Sequence, residues 1–336
     1  ETASTPSVAE QHAWFGGKDM SLWDDVVDAC DLFMTRNQQE GKPWDLVRNA
    51  SNPRQAYQDA YYRRANGELL IDTRARATVS WYWDGDCYYL QSYGSYGSMT
   101  PTLEYVNLFP YADGTPFDAS FWDRQSKDNY IAEDPFANRD PRLYENCLVN
   151  NAEFGLDHVA EMWIGGREGP ANDLASDGAA FTGFAIYKYI LDKEHMAGKQ
   201  DQWPYLRLAE VYLIYAEAIL QAKGDLQKAI DQVDIVRARV GLGGLAECNP
   251  TKNLTTDKNA LLEEILRERA CELGLEDVRF FDMIRYKRAD LFQKKLHGLK
   301  VYRNDGGGNK PWSGTSGNAS ESVSYTHLRA HETLSD

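Results

Sequence analysis

The chain has 336 residues, 43% apolar and 26% charged, with 36 Lys and Arg against 51 Asp and Glu for a net charge of −15. That balance is globular. It excludes chain-wide disorder and a collagen or coiled-coil reading, and it argues against a nucleic-acid partner, which asks for a basic face. No run of about 18 apolar residues is present to cross a bilayer as a helix.

Residues 21–35 predict a helix. Ser21 is the expected N-cap, with Asp24 three residues on, and Trp23, Val26, Val27, Cys30, Phe33 and Met34 make one apolar stripe. The span 75–205 lacks sustained helical periodicity. It is rich in Gly, Pro, Asn, Asp and aromatic residues, which predicts long loops and short elements, the places where function concentrates. Its densest stretch, residues 79–97, sets Trp81, Tyr82, Trp83, Tyr88, Tyr89, Tyr93 and Tyr96 around Asp84 and Asp86. Asp84-Gly85-Asp86 reads as a hairpin turn between two short strands.

From residue 205 the pattern changes. Leu206, Ala209, Leu213, Ala216 and Leu220 recur at helical spacing, Gly224 ends that helix and Asp225 caps the next. Leu226, Ile230, Val233 and Val240 stripe the second helix, which Gly241 closes. A second pair follows: Leu262, Ile265, Leu266, Ala270 and Leu273 up to Gly274, then Glu276 to Arg288 with Phe280, Phe281 and Ile284 as its apolar face. The order of small, aromatic and capping residues resembles a tetratricopeptide unit. Residues 304–322 are a Gly/Ser-rich low-complexity segment. Residues 323–336 look like translated sequencing-adapter read-through and are set aside as a non-native tail.

The five cysteines, at 30, 87, 147, 248 and 271, contain no C-x-x-C pair, so a zinc or redox framework is not expected. No H-E-x-x-H, G-x-S-x-G, P-loop or dinucleotide fingerprint occurs. The reading therefore assigns no catalytic residue, no metal ligand and no cofactor.

Five ordered segments resemble the SusD/RagB family of nutrient-binding outer-membrane lipoproteins. They are NGELLIDTR (66–74), PTLEYVNLFPYADGTPF (101–117), NRDPRLYENCLVN (138–150), YLRLAEVYLIYAEAIL with AIDQVDIVRARVGL (205–242), and ILRERACELGLEDVRFFDMIRYKR (265–288). The resemblance implies a mainly α fold: a tetratricopeptide-like helical hairpin scaffold with a large irregular loop-rich insertion and a few short strands. Residues 1–303 would form this domain, with 75–205 as the ligand region and 205–290 as the hairpins. It also implies a non-catalytic glycan binder on the cell surface that delivers nutrient to a SusC-like TonB-dependent transporter. The family's lipoprotein signal, N-terminal helices and C-terminal segment are not recognisable here. An internal fragment of a longer protein is expected, with its lipid anchor at the outer membrane lying upstream.

The residues carry a matching chemistry. Sugars present flat C–H faces rimmed by hydroxyls, and Trp and Tyr offer rigid apolar area with a polar handle. The candidate ligand residues are Trp81, Trp83, Asp84, Asp86, Tyr88, Tyr89, Tyr93 and Tyr96, with core packing as the alternative for any single ring. Asp84 and Asp86 admit a polar turn, a glycosidase carboxylate pair, or calcium ligation, although no D-x-[DN]-x-[DN]-G loop follows. Trp122 and Trp163 either line a loop pocket or anchor packing. Glu268, Glu272, Arg279 and Asp282 read as buried or half-buried ion pairs that fix helix register. Two functional alternatives remain at this stage: a tetratricopeptide-like protein-interaction scaffold, and a glycoside hydrolase using Asp84 and Asp86.

Overall fold

The computed structural model describes residues 19–63, 65–73, 100–124, 134–154, 158–166, 168–170, 180, 182–189 and 203–303, and the backbone of 323–329. In chain order the elements are α1 (Leu22–Gln39), α2 (Pro53–Tyr62), β1 (Leu69–Thr73), α3 (Leu103–Val106), α4 (Pro141–Asn146), β2 (Cys147–Leu148), β3 (Glu153–Phe154), β4 (His158–Val159), β5 (Ala185–Ile186) and β6 (Trp203–Arg207). Then come α5 (Leu208–Ala222), α6 (Leu226–Arg239), α7 (Leu245–Cys248), α8 (Lys258–Glu272), α9 (Val278–Arg285), α10 (Ala289–Phe292), β7 (His297–Arg303) and β8 (Val323–Arg329). The fold is mainly helical, as expected.

The helical scaffold follows the apolar periodicity. In α5, Ala209, Leu213, Ala216 and Leu220 are fully buried, and they meet Ile230 and Val233 of α6 and Ile265 of α8 in one core. The α5–α6 turn works as its residues dictate: Gly224 takes φ +65°, a conformation glycine adopts without penalty, and the Asp225 carboxylate accepts the Lys228 N–H at 3.0 Å. α1 lays Val27 and Cys30 into the same core, with Trp23, Val26, Phe33 and Met34 beside them. Removing a side chain such as Leu213 here costs about 2–5 kcal/mol.

Three local expectations change. Ser21 does not cap α1; its N–H and hydroxyl both donate to Asp19, at 2.9 and 2.6 Å, because the residue is already in helical conformation. Residues 205–207 belong to β6, which pairs antiparallel with β1 through an irregular register, Leu69 opposite Arg207 and Thr73 opposite Trp203. The face of α9 is apolar but outward: Phe280, Phe281 and Ile284 are each at least half exposed.

The described residues between 100 and 189 carry short elements, held by rings rather than by long helices. Trp122 and Trp163 lie in an aromatic core with Phe117, Phe121, Phe136 and Phe184, and are 2% and 6% exposed. They are packing anchors. β2 pairs with β5, β3 with β4, and β7 with β8, all antiparallel. β8 falls within the tail set aside above.

Gly274 lies just beyond the end of α8, but its glycine is required for another reason. A Cβ there would sit 1.8 Å from the Tyr105 hydroxyl. The left-handed turn is made instead by Leu275 and Asp277, each at φ +61°.

Candidate functional site

What locks the loop layer onto the scaffold is a charge cluster built from motif residues and Lys188. Five cations (Arg142, Lys188, Arg207, Arg237, Arg239) face five carboxylates (Glu68, Asp140, Glu268, Glu272, Glu276), with side chains at most 4% exposed. In NRDPR each residue has a task. Asn138 turns left-handed at φ +53°. Arg139 donates to the carbonyls of Val106, Phe109, Pro110 and Pro135. Asp140 accepts the Arg142 N–H at the start of α4, and Pro141 occupies the first turn. Arg142 then reaches Asp140, Glu272 at 3.0 Å and Glu268 at 2.6 Å, the last a close ion pair rather than an aligned hydrogen bond.

Glu272 gathers Arg142, Arg207 at 2.6 Å and Arg239. Burial alone would raise its carboxyl, yet the three guanidinium groups hold it well below the usual range. Lys188 donates to Glu276 at 2.6 Å, to the Gly274 carbonyl at 2.7 Å and to the Tyr57 hydroxyl at 2.9 Å. The Tyr61 ring lies 4.7 Å from its ammonium. Burial pulls Lys188 down to about 8. The expected pairing of Glu268 and Glu272 is present; Asp282 is held by Arg269 at 2.8 Å and Arg285 at 2.7 Å, while Arg279 donates to the Leu266 carbonyl.

Trp81, Trp83, Asp84, Asp86, Tyr88, Tyr89, Tyr93 and Tyr96, with the Asp84-Gly85-Asp86 turn, lie outside the described residues. The points flanking their segment are defined. Upstream, Thr73 ends β1 opposite Trp203, whose indole stacks on Tyr189 with ring centroids 5.2 Å apart. Downstream, the Pro101 carbonyl accepts the Thr182 hydroxyl at 2.6 Å.

A cleft of about 380 Å³ opens on the loop layer, bounded by Arg54, Asp134, Phe136, Tyr144 and the Asn150–Glu153 turn. The turn forms because Asn151 accepts φ +62°, tolerable for asparagine, and its N–H donates to the Ala160 carbonyl. Asn150 is 1% exposed, and its amide oxygen accepts the Met162 N–H at 3.0 Å. Its amide nitrogen has no hydrogen-bond acceptor among the described residues. Burial raises the Asp134 carboxyl, and the Phe136 N–H and the Asn151 amide pull it the other way. Arg54 is already committed to Glu145 at 3.1 Å. Sequence reasoning did not single out this cleft; its one sequence signal is the Asn150-Asn151 doublet after an apolar run.

A model of the SusD family matches residues 82–322. No curated protein matches the chain. Among solved structures it is similar to a SusD-like protein from Bacteroides fragilis at 23% identity and a TM-score of 0.64, covering 92% of this chain and 57% of that one. A second B. fragilis structure, titled a SusD-like carbohydrate binding protein, is 21% identical with a TM-score of 0.63, covering 92% and 57%. At these identities the likeness carries the fold. The chain spans less than two thirds of the length of either relative.

Proposed function

The chain belongs to the SusD family, and from that premise we propose that it is part of a non-catalytic glycan-binding protein of the cell surface. The family match over residues 82–322 carries this reading. The B. fragilis relative titled carbohydrate binding supports it, and so does the ring-rich composition of residues 79–97. In this reading Trp81 and Trp83 stack on sugar faces while Asp84, Asp86, Tyr88, Tyr89, Tyr93 and Tyr96 meet hydroxyls. In this reading the protein is also anchored by lipid at the outer membrane and passes its ligand to a SusC-like transporter.

The hydrolase alternative needs one carboxyl raised to serve as general acid. Asp84 and Asp86, the pair that alternative would use, lie outside the described residues. The exposed Phe280, Phe281 and Ile284 face favours an additional protein contact.

Affinity electrophoresis against a glycan panel tests the proposal. Trp81→Ala or Trp83→Ala is expected to weaken retardation by about 1 kcal/mol or more with the fold intact. Retardation by none of the glycans would overturn the reading. Turnover that Asp84→Asn or Asp86→Asn abolishes would replace it with the hydrolase.

A further inference from the structure

The cleft beside Asn150 has a composition that selects its occupant. Its volume of about 380 Å³ lies at the small end for ligand sites, enough for one or two sugar rings and too small for a polymer. The Asn150 amide cannot be turned over, because its oxygen must meet the Met162 N–H. That leaves, on a residue that lines the cleft, a buried N–H donor without an acceptor among the described residues, an arrangement folded proteins rarely keep without a purpose. Asn151 and Asp134 add further donors and acceptors at the wall, joined to each other at 3.3 Å. The Tyr144 hydroxyl is spent on the Phe136 carbonyl and on the Arg139 N–H, so Tyr144 presents its ring.

Charge narrows the choice. The guanidinium among the described lining residues, Arg54, is neutralised by Glu145 and lies over the Tyr187 ring. The lining carboxylates Asp134 and Glu153 repel anions, and Arg54 disfavours a cation. A neutral molecule rich in hydroxyls, with one flat apolar face, fits these walls.

We infer that the cleft is a subsite for a single neutral sugar ring, the end or branch of a longer glycan, with the Asn150 amide as its buried hydrogen-bond donor. This rests on the glycan-binding function proposed above and assigns it a contact set outside residues 79–97.

Ligand-observed saturation-transfer NMR tests the assignment, using glucose, galactose, mannose and xylose as probes and glucuronate as the anionic control. Three proteins are compared: wild type, Asn150→Asp and Asn151→Gly. Asn151→Gly removes the amide at a left-handed position that glycine adopts freely. It therefore stays decisive if Asn150→Asp fails to fold. At least one neutral sugar should respond with the wild type and bind at least tenfold more weakly to each folded variant, with glucuronate silent. Equal responses from wild type and Asn151→Gly, or a preference for glucuronate, would overturn the subsite. A wild type retarded by a polysaccharide yet silent toward every neutral sugar overturns the subsite alone. A wild type retarded by no glycan overturns the function on which it rests.

Discussion

Replacing Glu272 with Gln keeps the shape of the side chain and deletes one charge. The carboxylate meets Arg142 at 3.0 Å, Arg207 at 2.6 Å and Arg239. After Glu272→Gln, five cations face four carboxylates in a region where these side chains are at most 4% exposed. An uncompensated buried charge costs about 3–5 kcal/mol, a large share of the roughly 5–15 kcal/mol that stabilises a typical domain. With a urea dependence of about 3 kcal/mol per molar, the midpoint followed by far-UV circular dichroism should fall by about 1 M or more. Adding Arg239→Met restores four against four. The double variant should then be more stable than additivity allows, by about 1 kcal/mol or more. A loss below about 1 kcal/mol for Glu272→Gln, or strict additivity in the double variant, would refute the charge-balance argument.

Further outcomes follow from the same geometry. Burial alone would raise Glu268, but Arg142, Arg237 and Arg267 hold it at about 2, against 4.5 unfolded. As pH falls below about 5 the unfolded chain takes up the proton first, and about 3 kcal/mol of stability disappears by pH 2; urea midpoints unchanged from pH 6 to pH 3 would contradict this. Lys188 has the opposite sign: with its pKa lowered from 10.5 to about 8, the unfolded chain holds the proton longer above pH 8. Stability of wild type relative to Lys188→Met should therefore rise by about 2 kcal/mol between pH 7.5 and 9.5, where a flat difference would count against it. Gly274→Ala pushes a methyl into the Tyr105 hydroxyl at 1.8 Å and should cost about 1–3 kcal/mol, read as a lower urea midpoint. Trp122→Ala should cost about 3–5 kcal/mol, whereas Trp81→Ala should leave the midpoint in place and weaken glycan retardation.

The helical hairpins were legible because burial on one side of a helix writes a period into the residues, and Gly224 and Asp225 mark the turn. The apolar stripe of α9 was equally legible, but periodicity reports which residues share a face and not what covers it; Phe281 is 63% exposed. Glu268 and Glu272 could be read as ion-pair members from their own helix. Their cations could not, since Arg142 meets Glu272 across 130 positions and Arg237 meets Glu268 across 31. Arg279 misled for a geometric reason: the carboxylate three residues on, Asp282, was taken by Arg269 and by Arg285. The cleft stayed hidden because its walls come from α2, from the stretch before α4 and from the turn after β2. Only tertiary packing brings these together, and the Asn150-Asn151 doublet by itself says no more than turn.

The charge cluster also bears on how the molecule comes into being. Glu68 meets Arg239 across 171 positions, and the Tyr57 hydroxyl meets the Glu272 carbonyl across 215. No stretch of chain emerging during synthesis can complete this cluster until residues near 276 are available, so its early members wait, hydrated, for their late partners. Closing loops of that length precedes any reward from the contacts they form, so slow folding is the expected outcome. Loop layer and hairpins should then appear together in one late step, and a nascent chain halted before α8 should be a substrate for chaperones rather than a half-built binder.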